Sequence, residues 1–149
     1  MSQTPILTGQ DIAEAYGAVQ SLLERGLAGT GTTNREYVVL RVLAARGPVD
    51  SPASLHEFLA AERQLDLTPA AAGEVLAGLE ARALATGTAK DNPGPTELTP
   101  QGTELLRNLA DKVTPGTREL FSRIPVEDLA TAHRVLRDII DRAPAIAST

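Results

Sequence analysis

The chain has no cysteine and no tryptophan among its 149 residues, and only 3% of it is aromatic: Tyr16, Tyr37, Phe58 and Phe121. Without cysteine there is no disulfide, no thiol nucleophile, no thiolate zinc site and no thiol-based redox sensor. Four scattered aromatics do not build the stacking platform on which proteins hold single-stranded nucleic acid. An excess of positive charge is missing as well: 14 Lys+Arg stand against 19 Asp+Glu, a formal charge of −5. No apolar run approaches a membrane span. Met1-Ser2-Gln3-Thr4-Pro5 has neither the basic start nor the apolar stretch of a secretory signal, so a soluble cytoplasmic protein with no membrane partner is expected. His56 and His133 have no second ligand at helical spacing, and Gly29-Thr30-Gly31-Thr32-Thr33 lacks the lysine of a phosphate-binding loop. No strand-to-helix elbow presents a nucleophile. Metal sites, cofactors and catalysis are accordingly not expected.

What is present is mostly helix former: 23 alanines and 20 leucines. Thr8-x-x-Asp11 is a capping box with a short acid, and Ile12, Tyr16, Val19 and Leu23 behind it share one helix face. Thr33-x-x-Glu36 is a full capping box. It opens a helix apolar nearly all round (Tyr37, Val38, Val39, Leu40, Val42, Leu43), which places that helix at the centre until Gly47-Pro48 stops it. Ser51-Pro52 and Thr68-Pro69 each pair a cap with proline at the first helical position. The first starts a helix carrying Leu55, Phe58 and Leu59, the second a helix carrying Val75, Leu76 and Leu79. Residues 84–89 and 96–98 flank Lys90-Asp91-Asn92-Pro93-Gly94-Pro95 and read as a small hairpin. Thr99-Pro100 opens a fifth helix through Leu105, Leu106, Leu109 and Val113. Thr114-Pro115 is expected to start a sixth, and Pro125 a last one through Leu129, Ala132, Leu136 and Ile140 that Ala143-Pro144 ends.

This order predicts a mainly α protein with a small β-hairpin wing. A winged helix-turn-helix over 33–99 is flanked by helical segments 8–27 and 100–142, all within one domain spanning 1–149. The apolar stripes of the flanks need a partner, and packing on each other and on a second subunit is the simplest one.

Three stretches carry a resemblance to the MarR family of bacterial transcription regulators. Residues 67–84, from Leu67-Thr68-Pro69-Ala70-Ala71-Ala72-Gly73-Glu74 to Leu84, look like that family's recognition helix running into its first wing strand. Leu98-Thr99-x-x-Gly102 looks like its signature after the wing, and Ile124-Pro125-Val126-Glu127-Asp128-Leu129 with Val135-Leu136 looks like its last dimerisation helix. The similarity runs over about residues 8–142. It implies a homodimer with a winged helix-turn-helix in each subunit, bound to double-stranded DNA at a pseudo-palindromic operator. It also implies a repressor that a small-molecule effector releases from DNA.

On that resemblance the DNA-contacting residues are Thr68, Ala70, Ala71 and Glu74 of the recognition helix and Lys90 and Asn92 of the wing, and Arg35, Arg63 and Gln64 are expected to form a local basic cluster with Thr68 and Lys90. Alanines at 70 and 71 suit thymine methyls, and Glu74 can accept from cytosine N4, although the family favours a cation there. The family's wing tip carries an arginine; here Lys90 is the tip's only cation. Across 33–99 six cations face nine acids, a net charge of −3 in the module that should meet a polyanion. The alternative is therefore a protein that keeps this fold, has lost specific DNA binding and recognises a small molecule or a protein. By analogy with the family, Tyr16, Tyr37 and Arg41 belong near an effector pocket, where phenol and guanidinium would suit a small aromatic or anionic ligand. Arg134–Asp138 and Arg137–Asp141 are spaced as pairs supporting a solvated helix or a dimer rim.

Overall fold

The computed structural model describes residues 4–50, 52–61, 65–88 and 95–148. Among them are six helices and two short strands, in the order α1 (Gly9–Leu27), α2 (Asn34–Arg46), α3 (Pro52–Ala61), α4 (Pro69–Ala81), β1 (Ala85–Thr86), β2 (Glu97–Leu98), α5 (Pro100–Phe121) and α6 (Val126–Ala147). The chain divides after Pro115 into two compact units, and α5 runs through the boundary.

Local chemistry sets the helix starts. Both capping boxes close: the Asp11 N–H donates to Thr8 Oγ1 at 3.1 Å and the Thr8 N–H to Asp11 Oδ2 at 2.9 Å. The matching bonds at Thr33 and Glu36 are 3.1 and 3.0 Å. Each box satisfies two amides that the helix cannot. Thr68 caps α4, accepting from the Ala71 N–H at 3.1 Å ahead of Pro69. The proposed cap Ser51 lies outside the described residues.

The core of the first unit is almost entirely aliphatic. Leu40 and Leu43 of α2, Leu55 and Leu59 of α3, and Leu76 and Leu79 of α4 are fully buried, with Leu65 and Leu67 plugging the turn between α3 and α4. Full burial of such a side chain is worth roughly 1.5–3 kcal/mol. As its composition requires, α2 is central: Tyr37, Val38, Val39, Leu40 and Leu43 are all buried.

The hairpin pairs Ala85 with Leu98 and Thr86 with Glu97, antiparallel. A third piece joins it that the pattern of 84–98 does not reveal: Val49 bridges to Thr96 through N–H···O bonds of 3.0 and 2.9 Å. Thr96 is fully buried and its hydroxyl donates to the Gly87 carbonyl at 3.0 Å, tying both sides of the wing base together. The turn over 89–94 lies outside the described residues.

Two helix boundaries differ from expectation. Thr114-Pro115 does not start a helix, because α5 continues through Pro115 to Phe121. Pro115 lacks an N–H to donate to the preceding turn, but its fixed φ is helical. Tertiary packing holds that turn: Val113 lies against Gly26 of α1, where an added Cβ would sit 3.3 Å from Val113 Cγ2. Nor does Pro144 end α6, which runs on to Ala147 at an exposed terminus.

Candidate nucleic-acid interface

The best-defined chemical surface in the first unit is built where α2 and α4 begin. The α3–α4 turn folds Leu65 and Leu67 inward and lifts Asp66 between them into the left-handed region, at φ 49°. This aims the Asp66 carbonyl at α2, where Arg35 Nη2 donates to it at 3.4 Å. Arg35 and Thr68 are thus brought close to one helix start. The Thr68 oxygen accepts the cap bond, leaving its hydroxyl proton for an outside acceptor such as a phosphate. Amides and dipole at this helix start favour an anion in the same place.

Outward from Thr68, α4 exposes Pro69, Ala70, Glu74, Ala77 and Gly78, with Ala71 half-buried. This face is smooth. Ala71, Glu74, Val75 and Gly78 form one wall of a shallow groove of about 430 Å³ whose other wall is Thr33, the cap of α2, with Arg35 and Glu36 of that helix. On the inner face Gly73 lies over α3, where an added Cβ would come within 3.1 Å of His56 Cε1. His56 Nε2 is buried there with no hydrogen-bond partner. The histidine read from the sequence as surface or packing is therefore a packing residue beneath α4.

The end of α4 explains the Leu98-Thr99-x-x-Gly102 signature. Ala83 takes φ 62°, its N–H donates to the Glu80 carbonyl and that of Leu84 to the Leu79 carbonyl, each at 2.9 Å. This paired bonding is a Schellman ending. The Leu84 carbonyl then accepts from the Thr99 N–H at 3.0 Å, and the Thr99 hydroxyl donates to the Ala83 carbonyl at 2.6 Å and accepts from the Gly102 N–H at 3.0 Å. A Cβ on Gly102 would overlap the Leu84 carbonyl oxygen. Threonine and glycine at these positions therefore seat the start of α5 on the exit of α4. Glu80 also reaches forward, accepting from the Thr88 N–H at 3.3 Å at the wing's start.

The cations of 33–99 are largely committed elsewhere. Arg82 is paired with Glu36 at 2.9 Å. Arg41 lies 5.8 Å over the Tyr37 ring and Arg46 3.6 Å over the Phe58 ring. Arg35 is left with a long bond to a neutral carbonyl. Arg63, Gln64, Lys90 and Asn92 lie outside the described residues.

Of the three proposed effector residues, Tyr37 and Arg41 lie together and Tyr16 lies apart from them. Tyr37 is 6% exposed in the core, with Arg41 over its ring. Tyr16 is 49% exposed and lines a separate hollow between α1 and α2. Sequence reasoning missed the companions of Tyr16 there: Gln20, Glu24, Asn34 and Asp66. The spacing of Tyr16, Gln20 and Glu24, each four residues apart, was the signal available. Gln20 Nε2 donates to the Tyr16 hydroxyl at 2.8 Å, and Asn34 Nδ2 donates to Gln20 Oε1 at 3.2 Å and Glu24 Oε1 at 3.5 Å.

No protein-family model and no curated protein matches the chain. Solved structures do. A MarR-family transcriptional regulator from Rhodococcus sp. RHA1 superposes with a TM-score of 0.69 at 20% identity, covering 91% of this chain and 97% of that one. Apo MarR from E. coli gives 0.66 at 18% identity, over 91% and 98%. The Mycobacterium tuberculosis MarR-family protein Rv2887 in complex with DNA gives 0.64 at 25% identity, over 90% and 98%. The chain therefore has the winged-helix fold of the MarR-family transcriptional regulators.

Proposed function

We propose that the protein is a homodimeric regulator of transcription that binds double-stranded DNA at a pseudo-palindromic operator, most simply a repressor released by a small-molecule effector. The observation that carries this reading is the winged helix-turn-helix over 33–99, with the outward face of α4 open to solvent, in a fold shared with a protein solved on DNA. The recognition helix from Thr68 enters the major groove with Ala70, Ala71 and Glu74 toward the bases, while Arg35 meets the backbone and the wing around Lys90 the minor groove or the backbone. The dimer half of the proposal rests on α6, none of whose residues is buried although Leu136 and Ile140 are large and apolar. Two recognition helices reading half-sites about 34–36 Å apart lose register if an effector shifts them by a few ångströms. Rv2887 has also been solved with salicylic acid, at 23% identity to this chain. On this reading residues 1–149 work as one domain, with 8–27 and 100–142 as its dimerisation segments.

The test is binding of the full-length protein to DNA upstream of its own coding sequence across a salt series, with unrelated DNA as competitor. Specific binding with a shallow negative salt slope is expected, each phosphate contact adding about −0.9 to it. A second reading, the same fold without specific DNA binding, draws on the commitment of Arg41, Arg46 and Arg82 to protein partners. Equal binding of the competitor, or none at low salt, selects it.

A further inference from the structure

The hollow between α1 and the first turns of α2 has about 260 Å³ and an unusual mixture of linings. Among the described residues one arginine, Arg35, lines it with two acidic residues, Glu24 and Asp66, beside Val38, Leu65 and Tyr16. We propose that this hollow is the effector site, that its ligand is a small zwitterion carrying an ammonium and a carboxylate as an amino acid does, and that Arg35 couples its occupancy to DNA binding. The coupling rests on the regulator reading above; the site does not.

Charge balance selects the ligand class. A purely anionic molecule gains one guanidinium but meets two carboxylates. A purely cationic one gains the carboxylates but meets Arg35. A zwitterion satisfies both, its ammonium on Glu24 and Asp66 and its carboxylate on Arg35, with the remaining body on Val38, Leu65 and Tyr16. Glu24 is already steadied for that task by the Asn34 amide, which the Gln20 side chain holds in turn.

Arg35 is available to a ligand because its present bond is weak. A 3.4 Å contact to a neutral carbonyl is poor beside the bidentate, charge-assisted pair that a carboxylate offers. The same guanidinium borders the groove along the outer face of α4, with Ala71 and Glu74. It cannot serve a ligand carboxylate on one side and a DNA phosphate on the other. Its bond also ends on Asp66, two residues before the cap of the recognition helix, so drawing Arg35 away releases that turn.

The experiment is thermal unfolding and calorimetric titration of the full-length protein without DNA. The probes are the proteinogenic amino acids, their decarboxylated amines, their deaminated acids, and salicylate. At least one amino acid is expected to raise the midpoint, as a ligand specific to the folded state must. Analogues lacking either charge should bind at least about tenfold more weakly. Asp66→Asn tolerates the left-handed backbone and keeps the carbonyl, so it tests the carboxylate alone; it and Glu24→Gln should each weaken binding. In Arg35→Gln the amino acid should no longer change DNA affinity. A larger shift from salicylate or the deaminated acids overturns the proposal, as does no shift from any amino acid. Specific DNA binding with no amino-acid shift removes the site and leaves the regulator. A shift in a protein that binds no DNA upholds the site and removes the regulator and the coupling.

Discussion

At the scale of single residues, two backbone positions govern how α4 ends. Ala83 holds φ 62° with its side chain exposed, a conformation costing an L-residue roughly 1–2 kcal/mol that glycine adopts freely. Ala83→Gly is therefore expected to stabilise the protein by about 1 kcal/mol in urea unfolding, after the added freedom of the unfolded chain is discounted. Unchanged or lower stability would refute the account of this ending. Gly102→Ala should act oppositely, since its methyl group would meet the Leu84 carbonyl; a loss of about 1–3 kcal/mol is expected, as for other overpacked sites. The Arg82–Glu36 pair matters less than its 2.9 Å distance suggests, because the Arg82 side chain is 43% exposed. Arg82→Ala should cost under about 0.5 kcal/mol. Glu36→Ala should cost about 1 kcal/mol, because it also opens a capping box. Equal losses in the two variants would move the weight from the cap to the ion pair.

At the scale of the element, α4 is set by its cap and by what it lacks. Thr68→Ala removes the acceptor of the Ala71 amide and should cost about 1 kcal/mol. If Thr68 also meets a phosphate, DNA affinity falls further than stability explains. Glu74 is exposed on the outward face of α4, where a carboxylate repels phosphate. Glu74→Gln is expected to raise affinity for unrelated DNA roughly threefold to tenfold at low salt, in anisotropy titrations, with the gain shrinking as salt screens it. Affinity unchanged at every salt concentration would show that α4 does not approach DNA.

At the scale of the whole molecule, the apolar surface demands an explanation. Phe121 is 43% exposed, Ile124 41%, Leu136 42% and Ile140 53%. A monomer would leave these four large apolar side chains, all within 116–149, in water, whereas association would cover them. Sedimentation is expected to show a dimer, and Leu136→Glu with Ile140→Glu to shift it toward monomer while weakening operator binding. A wild-type monomer at micromolar concentration would remove the dimer and its half-site geometry together. Among the described residues no helix is long and apolar enough to cross a membrane.

Much of the architecture is written locally. Capping boxes at Thr8 and Thr33, cap-plus-proline at Thr68, and the apolar face of every helix depend on neighbours three and four residues away, so sequence alone determines them. The same holds for the hairpin around 84–98 and for a mainly α fold with a wing. Decisions that needed distant contacts were not legible. Thr114-Pro115 has the local form of a helix start, yet α5 runs through it where Val113 packs on Gly26. Val49 joins the wing only because α2 delivers it to Thr96. The functional surface divides in the same way. The resemblance of 67–84 to a recognition helix singled out Thr68, Ala70, Ala71 and Glu74, and the all-round apolar composition of α2 placed Tyr37 in the core, but only the folded chain groups Tyr16 with Glu24, Arg35 and Asp66. Periodicity assigns a face to a side chain; which faces meet across a turn such as Leu65-Asp66-Leu67 is decided by the packing of the leucines on either side.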